Sequence, residues 1–504
     1  MSFFGLKKIQ RWLCYGFLTV SMVTIVSILW TINFTMRNGR GFIQVTDIDS
    51  LEVSTIFKTI KYQTEKTPQI TKHQTAEKLN KYKDSDQVIL SGTPLEKHKK
   101  NQPSMLISQK PLKLYIYTLP RKFNDEIIKC LSLSGAYRGC FDLTNNGMGK
   151  LLFRTNGFAV MDSNQFSLEV IIHQQLLKSS LHTTNISEAD IFYVPAYMGL
   201  ACFCDQTSHK VSNLVNDMYK HLQMQKPFQE QKPHFSTLAK IEREQTSSSC
   251  SLLKNKHSRK LTFIGIEKEA NKGSRIYLGL KQQKIIVAPY PSYIHYNSKN
   301  ISRIVTPSIK QRNVFIFLAA SERRSNTFRS HLIDQFQTKT KDSYQEFYNS
   351  DQNLSVKQVM LVTSECLGNH KNTTIPWMLH SVFCLQPPGD SPTRKSFYDA
   401  ILSGCIPVLF HYFNKYQVRY PFDWQFNYTD FTIILPAYDK IQSYPNIYDT
   451  LQKIPAGEIS RLHYNLQTVA RYFQYSVIEG NISGYEDNAV FYIIQELKQI
   501  YSIS

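Results

Sequence analysis

The sequence predicts an α/β protein of two domains in tandem, set behind an apolar segment and a polar stem. Three observations carry this. From residue 112 onward, short apolar runs alternate with amphipathic stretches, the pattern of parallel strands joined by crossover helices. Residues 12–36 hold no charged side chain, whereas 46–110 are rich in Lys, Thr, Gln and Ser with no sustained period. Residues 382–410, VFCLQPPGDSPTRKSFYDAILSGCIPVLF, read as strand, polar loop, helix, strand. That βαβ order implies a parallel sheet, in which ligands bind in the crevice at strand C-terminal ends.

Taken in order, residues 1–11 form a cytoplasmic tail and 12–36 a transmembrane signal anchor. Lys7, Lys8 and Arg11 precede the anchor and Arg37 and Arg40 follow it, which favours a cytoplasmic N-terminus. The competing reading is a cleaved signal peptide, but residues 32–36 (INFTM) offer no small-residue cleavage site. Residues 37–110 read as a flexible stem. An N-terminal α/β domain spans 111–304, with strands over 112–117, 189–194, 261–266 and 285–288. It adds a helix over 166–181 and a Gly-punctuated loop, Asn145-Asn146-Gly147-Met148-Gly149. A C-terminal domain, 305–504, has strands over 313–318, 359–363, 382–385, 405–410 and 431–435. Its helices run over 326–337, 391–404, 459–475 and 487–501. In the 382–410 stretch, Ser391 is the expected N-cap, Pro392 the first helical residue and Gly404 the left-handed cap. The two domains leave a cleft between them.

The chain has 504 residues and a net charge of +20. The basic residues are spread along it, with no zinc-finger, RNP or basic-zipper pattern, so no nucleic-acid partner is expected. Phosphorylated donors, acidic glycans or anionic membranes suit the charge better. Of nine cysteines, Cys14 lies in the first apolar segment and the other eight show no repeated CxxC, which argues against zinc. The even remainder fits an oxidising lumen. Cys130–Cys140 is the expected disulfide, while Cys384 and Cys405 read equally well as small core residues on adjacent strands. Sequons occur at Asn185, Asn300, Asn353, Asn372, Asn427 and Asn481.

Hydrolase signatures are missing: there is no G-x-S-x-G, H-E-x-x-H or P-loop. Acidic D-x-D pairs occur only at Asp47/Asp49 and Asp84/Asp86, inside the stem, with no strand to aim them at a metal-bound diphosphate. Without a metal, a diphosphate needs side-chain cations and helix-terminus amides. The loop holding Gly389, Asp390, Ser391, Thr393, Arg394 and Lys395 supplies both, and a basic loop with Arg323 lies upstream. Asp399 suits ribose or sugar hydroxyls, or it forms an i,i+4 surface pair with Lys395. Spacing alone leaves both open.

The residues resemble the exostosin-like glycosyltransferase family (GT47-type), most closely the plant-type branch that includes the xyloglucan galactosyltransferases. The resemblance runs through most of 112–495. It is carried by LYIY at 114–117, NNGMG at 145–149, SNQFSLE at 163–169, ADIFYVP at 189–195, PYPSY at 289–293 and NYT at 427–429. FCLQP through GCIPV, within 383–408, is the most specific block. The resemblance implies a GT-B fold of two facing Rossmann-like domains, the first for the acceptor and the second for the nucleotide sugar. It implies inversion at the sugar carbon, no metal or other cofactor beyond a UDP-sugar co-substrate, and a type II Golgi membrane protein with a lumenal catalytic domain.

By the same resemblance, Arg394, Lys395 and Ser396 fall in the donor loop and Asp399 at an acidic position suited to the ribose. Many family members place an Arg where Ser396 stands; the galactosyltransferase branch shares the arrangement seen here. The branch also carries Asp-His-Phe where this chain has Pro233-His234-Phe235, which puts a catalytic role for His234 in doubt. Glu169 and His234 are the two expected catalytic residues, although Glu169 falls on an apolar-striped helix and His234, the weaker of the two, reads more readily as structural. Asn146, Gly147, Tyr290, Tyr293 and His295 are acceptor-side candidates, with core packing as the alternative for the three ring residues. The expected function is transfer of galactose from UDP-galactose to a polysaccharide or glycan acceptor. Glucuronic acid, xylose or arabinose are alternative sugars, and a complex with other Golgi transferases is an expected partnership. A non-catalytic lumenal partner is the alternative of another class.

Overall fold

The computed structural model describes residues 111–503 apart from 134–140, 156, 205–207, 243, 245–251, 272–283, 297–305, 321–327, 337–357, 363–370, 390, 412–415, 438–445 and 478–487. These fall within one compact unit. The expected tail, anchor and stem lie outside the described residues. Among the described residues no helix is long and apolar enough to cross a membrane.

Among the described residues sixteen strands follow in order: β1 (Leu114–Ile116), β2 (Leu151–Arg154), β3 (Phe158–Met161), β4 (His182–Thr183), β5 (Ile191–Val194), β6 (His234–Leu238), β7 (Thr262–Gly265), β8 (Glu269–Asn271), β9 (Lys284–Val287), β10 (Ile294–Tyr296), β11 (Val314–Ala319), β12 (Gln358–Val362), β13 (Ser381–Gln386), β14 (Ile406–His411), β15 (Tyr416–Val418) and β16 (Ile433–Pro436). The longer helices are α1 (Asp125–Leu133), α2 (Leu168–Leu177), α3 (Ser208–Gln223), α4 (Lys371–His380), α5 (Lys395–Ser403), α6 (Ala456–Val469) and α7 (Ala489–Tyr501).

Two parallel sheets organise the chain. The N-terminal half has the order β4-β1-β5-β6-β7-β9 and the C-terminal half β12-β11-β13-β14-β16. In each sheet the first strand in sequence lies between the second and the third, so the order reverses there: between β1 and β5, and between β11 and β13. Such a switch point opens a crevice at the strand C-terminal ends. The continuous apolar runs of β5, β11 and β14, the last up to Phe410, follow from this layering, because parallel strands are covered on both faces.

The periodicity missed an antiparallel sheet, β10-β3-β2, and a strand pair, β8-β15, that joins the two halves. Neither is legible locally: every strand is three or four residues long, and although β2 and β3 form a hairpin, the partners in β10-β3 and β8-β15 are distant in sequence. Asn145 and Asn146 have φ of 49° and 61°, and Gly147 and Gly149 have 88° and 79°. This run of left-handed residues makes the 145–149 segment a tight turn. A Cβ on Gly147 would press within 2.9 Å of Val170 on α2.

Helix α5 begins at Lys395 with Arg394 as N-cap residue, not at Ser391 as expected. The reason is tertiary: the Ser391 and Thr393 hydroxyls donate to the Glu267 carboxylate of the other half and hold the loop extended. Gly404 does end the helix in the left-handed region, at φ 71°. Beneath it the buried Arg312 guanidinium donates to the carbonyls of Met378 (3.0 Å), Ser381 (2.7 Å) and Ser403 (2.8 Å). Burial lowers its pKa to about 9.

The expected Cys130–Cys140 disulfide is corrected. Cys130 on α1 pairs with Cys204, 74 residues away, because the turn after Met198–Ala201 packs on α1. Cys384 and Cys405 are fully buried on adjacent strand segments, and they are bonded to each other. Asn185 and Asn427 are exposed. Asn300, Asn353 and Asn481 lie outside the described residues, as does the side chain of Asn372 on α4.

Candidate functional site

The C-terminal crevice is closed by the segment between β13 and α5. Arg394 spans the switch point: its guanidinium donates to the carbonyl of Ala319 at the end of β11 (3.0 Å). It also donates to that of Pro387 just beyond β13 (3.1 Å). It is half-buried, and Asp390 and Arg323 lie outside the described residues. Gly389 is held by its N–H to the carbonyl of Ser391 (2.9 Å). A second guanidinium, Arg329, lies buried below the loop and donates to the carbonyl of Pro388 (3.2 Å). Ser396 donates to Gln386 Oε1 (2.6 Å), fixing the first turn of α5 on β13. α5 has no side-chain N-cap bond, and its N-terminal end, the positive end of the helix dipole, follows the C-terminal end of β13.

Lys395 and Asp399 do pair, at 3.0 Å, but the surface reading is overturned: their side chains are only 10% and 3% exposed. Asp399 Oδ1 also accepts from Ser292 Oγ (2.6 Å) and from the Tyr293 N–H (2.9 Å), both in the N-terminal half. Lys395 Nζ lies 2.9 Å from the centre of the Tyr293 ring, a cation–π contact. Asp399 is therefore turned toward the seam between the halves.

Across that seam stands Glu267, two residues past the C-terminal end of β7. Its Oε2 accepts from Ser391 Oγ (2.9 Å), the Thr393 N–H (3.3 Å), Thr393 Oγ1 and Tyr290 OH (3.3 Å). Its Oε1 is buried with no partner. Burial raises its pKa, opposed by the bonds from Thr393, Ser391 and Tyr290.

The expected catalytic pair is placed elsewhere. Glu169 is fully buried on α2, where Oε1 and Oε2 accept the N–H groups of Gly199 (2.8 Å) and Leu200 (3.0 Å). It satisfies the start of the turn Met198–Ala201. Burial pushes its pKa up to about 8 against those bonds. His234 opens β6, four residues before the strand's C-terminal end. Nδ1 donates to the Lys232 carbonyl (2.6 Å) and Nε2 accepts from Tyr117 OH (2.8 Å). The ring stacks on Phe192 and Tyr117, and burial lowers its pKa to about 4. It is a packed core residue, because both nitrogens are already engaged away from the crevice.

The acceptor-side set divides. His295 is buried between Ser163 Oγ and the Tyr475 carbonyl, each at 2.6 Å. Tyr290 is buried against Tyr398, and Tyr293 is covered by Lys395. These rings fill the seam, as core packing requires, and do not line an open groove. Gly147 is buried and Asn146 half-buried in the turn against α2.

Glu267 and Arg329 escaped the sequence reading. Glu267 left one usable signal: an acidic residue immediately after an apolar strand of a parallel sheet falls at the ligand-bearing edge. Arg329 left none, because its burial depends on how the helical stretch 328–336 packs under the loop.

The exostosin GT47 domain matches residues 108–451. The chain belongs to that family. The chain is 29% identical over 328 residues to the xyloglucan-specific galacturonosyltransferase 1 of Arabidopsis thaliana, covering 62% of this chain and 45% of that one. It is 30% identical over 343 residues to the probable xyloglucan galactosyltransferase GT15 of the same plant, covering 60% and 64%. With the xyloglucan galactosyltransferase MUR3 of that plant it shares 26% over 379 residues, covering 70% and 56%. It thus spans less than two thirds of the length of each. A crystal structure of Anabaena HepE with UDP and glucose aligns with TM-score 0.34 at 11% identity, covering 78% of this chain and all of that one.

Proposed function

We propose that this chain is a glycosyltransferase that takes a sugar from a UDP-sugar and places it on a glycan hydroxyl. The observation that carries the reading is Arg394 bridging the ends of β11 and β13 at the switch point of an exostosin-family chain, beside the uncapped start of α5. Cation and amides converge where a diphosphate leaving group would gain charge. The acceptor oxygen loses its proton and bonds to the anomeric carbon from the face opposite the diphosphate. The carbon–oxygen bond to phosphate breaks and UDP leaves with the electron pair, inverting the centre. In this reading Gly389, Ser391, Thr393, Arg394, Lys395 and Ser396 shape the donor loop, and no metal is needed because the cations neutralise the leaving group. Asp399 reaches the ribose only if it leaves Ser292.

Galactose is the first choice of sugar, supported by the similarity to the galactosyltransferases. A uronic acid is the second reading, favoured by the similarity to the galacturonosyltransferase. A cell-wall-type polysaccharide or glycoprotein glycan is the proposed acceptor. Residues 12–36 support a Golgi type II anchor. The test is the detergent-solubilised full chain against a panel of UDP-sugars in EDTA, read by thermal shift and transfer. One donor should raise the melting temperature and be turned over; a panel without a binder removes the reading.

A further inference from the structure

We propose that Glu267 is the catalytic base that takes the proton from the acceptor hydroxyl. This rests on the transferase reading above and names the residue that reading lacks. An inverting displacement needs its base on the face opposite the leaving group, hence on the half that does not hold the diphosphate. Glu267 hangs from the end of β7 in the N-terminal half and reaches Ser391 and Thr393, the latter the residue before Arg394. Two other buried carboxylates near the seam are committed. Glu169 gives both oxygens to backbone amides and Asp399 holds Lys395, Ser292 and Tyr293.

Glu267 divides its labour. Oε2 takes every bond from the donor loop and from Tyr290, which fixes the carboxylate plane. Oε1 is buried with no partner, and a buried acceptor without a donor is costly unless something binds it. An acceptor hydroxyl is a donor of the right kind. The titratable groups facing the carboxylate are the hydroxyls of Tyr290 after β9, Tyr398 on α5 and Tyr420 after β15, and Lys268 follows it in the chain. The three phenols are buried and held protonated, with pKa values raised by burial and by the Glu267 charge. In the proposed step the carboxylate oxygen gains the proton, the acceptor oxygen attacks, and UDP departs with its electron pair.

The experiment compares full-chain wild type, Glu267→Gln and Glu267→Asp with the donor found in the panel. The amide keeps an oxygen for the donor loop and removes the base. Glu267→Gln should bind UDP-sugar within about threefold of wild type while kcat falls about 10²–10⁴-fold, the range for a lost general base. The acid limb of the kcat profile should vanish in Glu267→Gln and persist in Glu267→Asp at reduced kcat. Turnover of Glu267→Gln within threefold of wild type places the base elsewhere. Donor affinity falling in step with turnover makes Glu267 a latch for the loop and overturns the proposal. A wild type that binds no UDP-sugar removes the transferase reading itself, a result distinct from either.

Discussion

Asp399 of α5 accepts a hydrogen bond from Ser292 of the opposite half at 2.6 Å, while its second oxygen holds Lys395 at 3.0 Å. A helix face and an inter-half contact are thus tied through one buried carboxylate. Removing one member of a buried pair leaves an uncompensated charge, at a cost of about 3–5 kcal/mol. Asp399→Ala should lower stability by that order, measured by urea unfolding. The double variant Asp399→Leu/Lys395→Met should recover much of the loss, since no buried charge then remains. Ser292→Ala should cost about 2–4 kcal/mol, because it removes the bond to the Asp399 carboxylate and the Oγ acceptor of the Ile294 N–H.

Arg394 is predicted to act on the donor and, through its bonds to the Ala319 and Pro387 carbonyls, on the loop as well. Charge-assisted bonds contribute about 1.5–3 kcal/mol each, so Arg394→Ala should raise the UDP dissociation constant at least about tenfold. Calorimetric titration with UDP checks this. Arg394→Lys should recover only part, because an ammonium cannot span the carbonyls of Ala319 and Pro387 as a planar fork does.

Arg312 is predicted to act on the fold alone. Three carbonyls from α4, β13 and α5 end on its guanidinium, and Arg312→Met leaves them buried without donors. The expected destabilisation is about 3–5 kcal/mol, seen as a lower urea midpoint. Gly404→Ala should also destabilise, through both the positive φ and the collision of its Cβ with Thr306 and Arg312.

Stability should fall steeply on acidification. Burial lowers the pKa of His173, His234, His295 and His411 to about 4 from 6.5. Between those values the unfolded chain binds more protons than the fold, so stability rises with pH. Each histidine contributes a slope of about 1.4 kcal/mol per pH unit within that window, complete above about pH 6.5. Glu169, raised to about 8, works the other way: its contribution is full below pH 4.5 and is lost as pH rises through 8. Four histidines outweigh it between pH 4.5 and 6.5. Melting temperatures at pH 5 and pH 7 check the sign, and His234→Gln should flatten the slope.

The Cys384–Cys405 bond closes a segment of 21 residues that contains the whole donor loop and α5. Chain entropy predicts about 3 kcal/mol from a closure of that length. Cys384→Ala/Cys405→Ala should lose stability of that order in thermal unfolding. Thiol titration of the unfolded, unreduced chain should not count either cysteine.

Much of the fold was written in local pattern. β5, β11, β13, β14 and β16 announced themselves as apolar β-branched runs, and α2 and α7 as helical periods, because burial on a fixed face imposes a fixed spacing. Gly404 marked its left-handed cap for the same local reason. The strand pair β8-β15 and the sheet β10-β3-β2 did not, since strands of three or four residues carry too little pattern and the partners in β8-β15 and β10-β3 lie far apart in sequence.

The site was legible only in part. The sequence by itself determined the βαβ unit at 382–410, the cations of its loop and the family to which the chain belongs, all of which depend on contiguous residues. Only the tertiary structure decided that α5 starts at Lys395, that Asp399 is buried against Ser292, and that His234 and His295 are core residues. It also brought Glu267 onto Ser391 and Thr393. These facts depend on which groups distant in sequence meet in space, such as Ser292 with Asp399, 107 residues apart, and Glu267 with Ser391, 124 apart. A side chain's pKa and free hydrogen-bonding capacity are set by those neighbours in space, which no local spacing encodes.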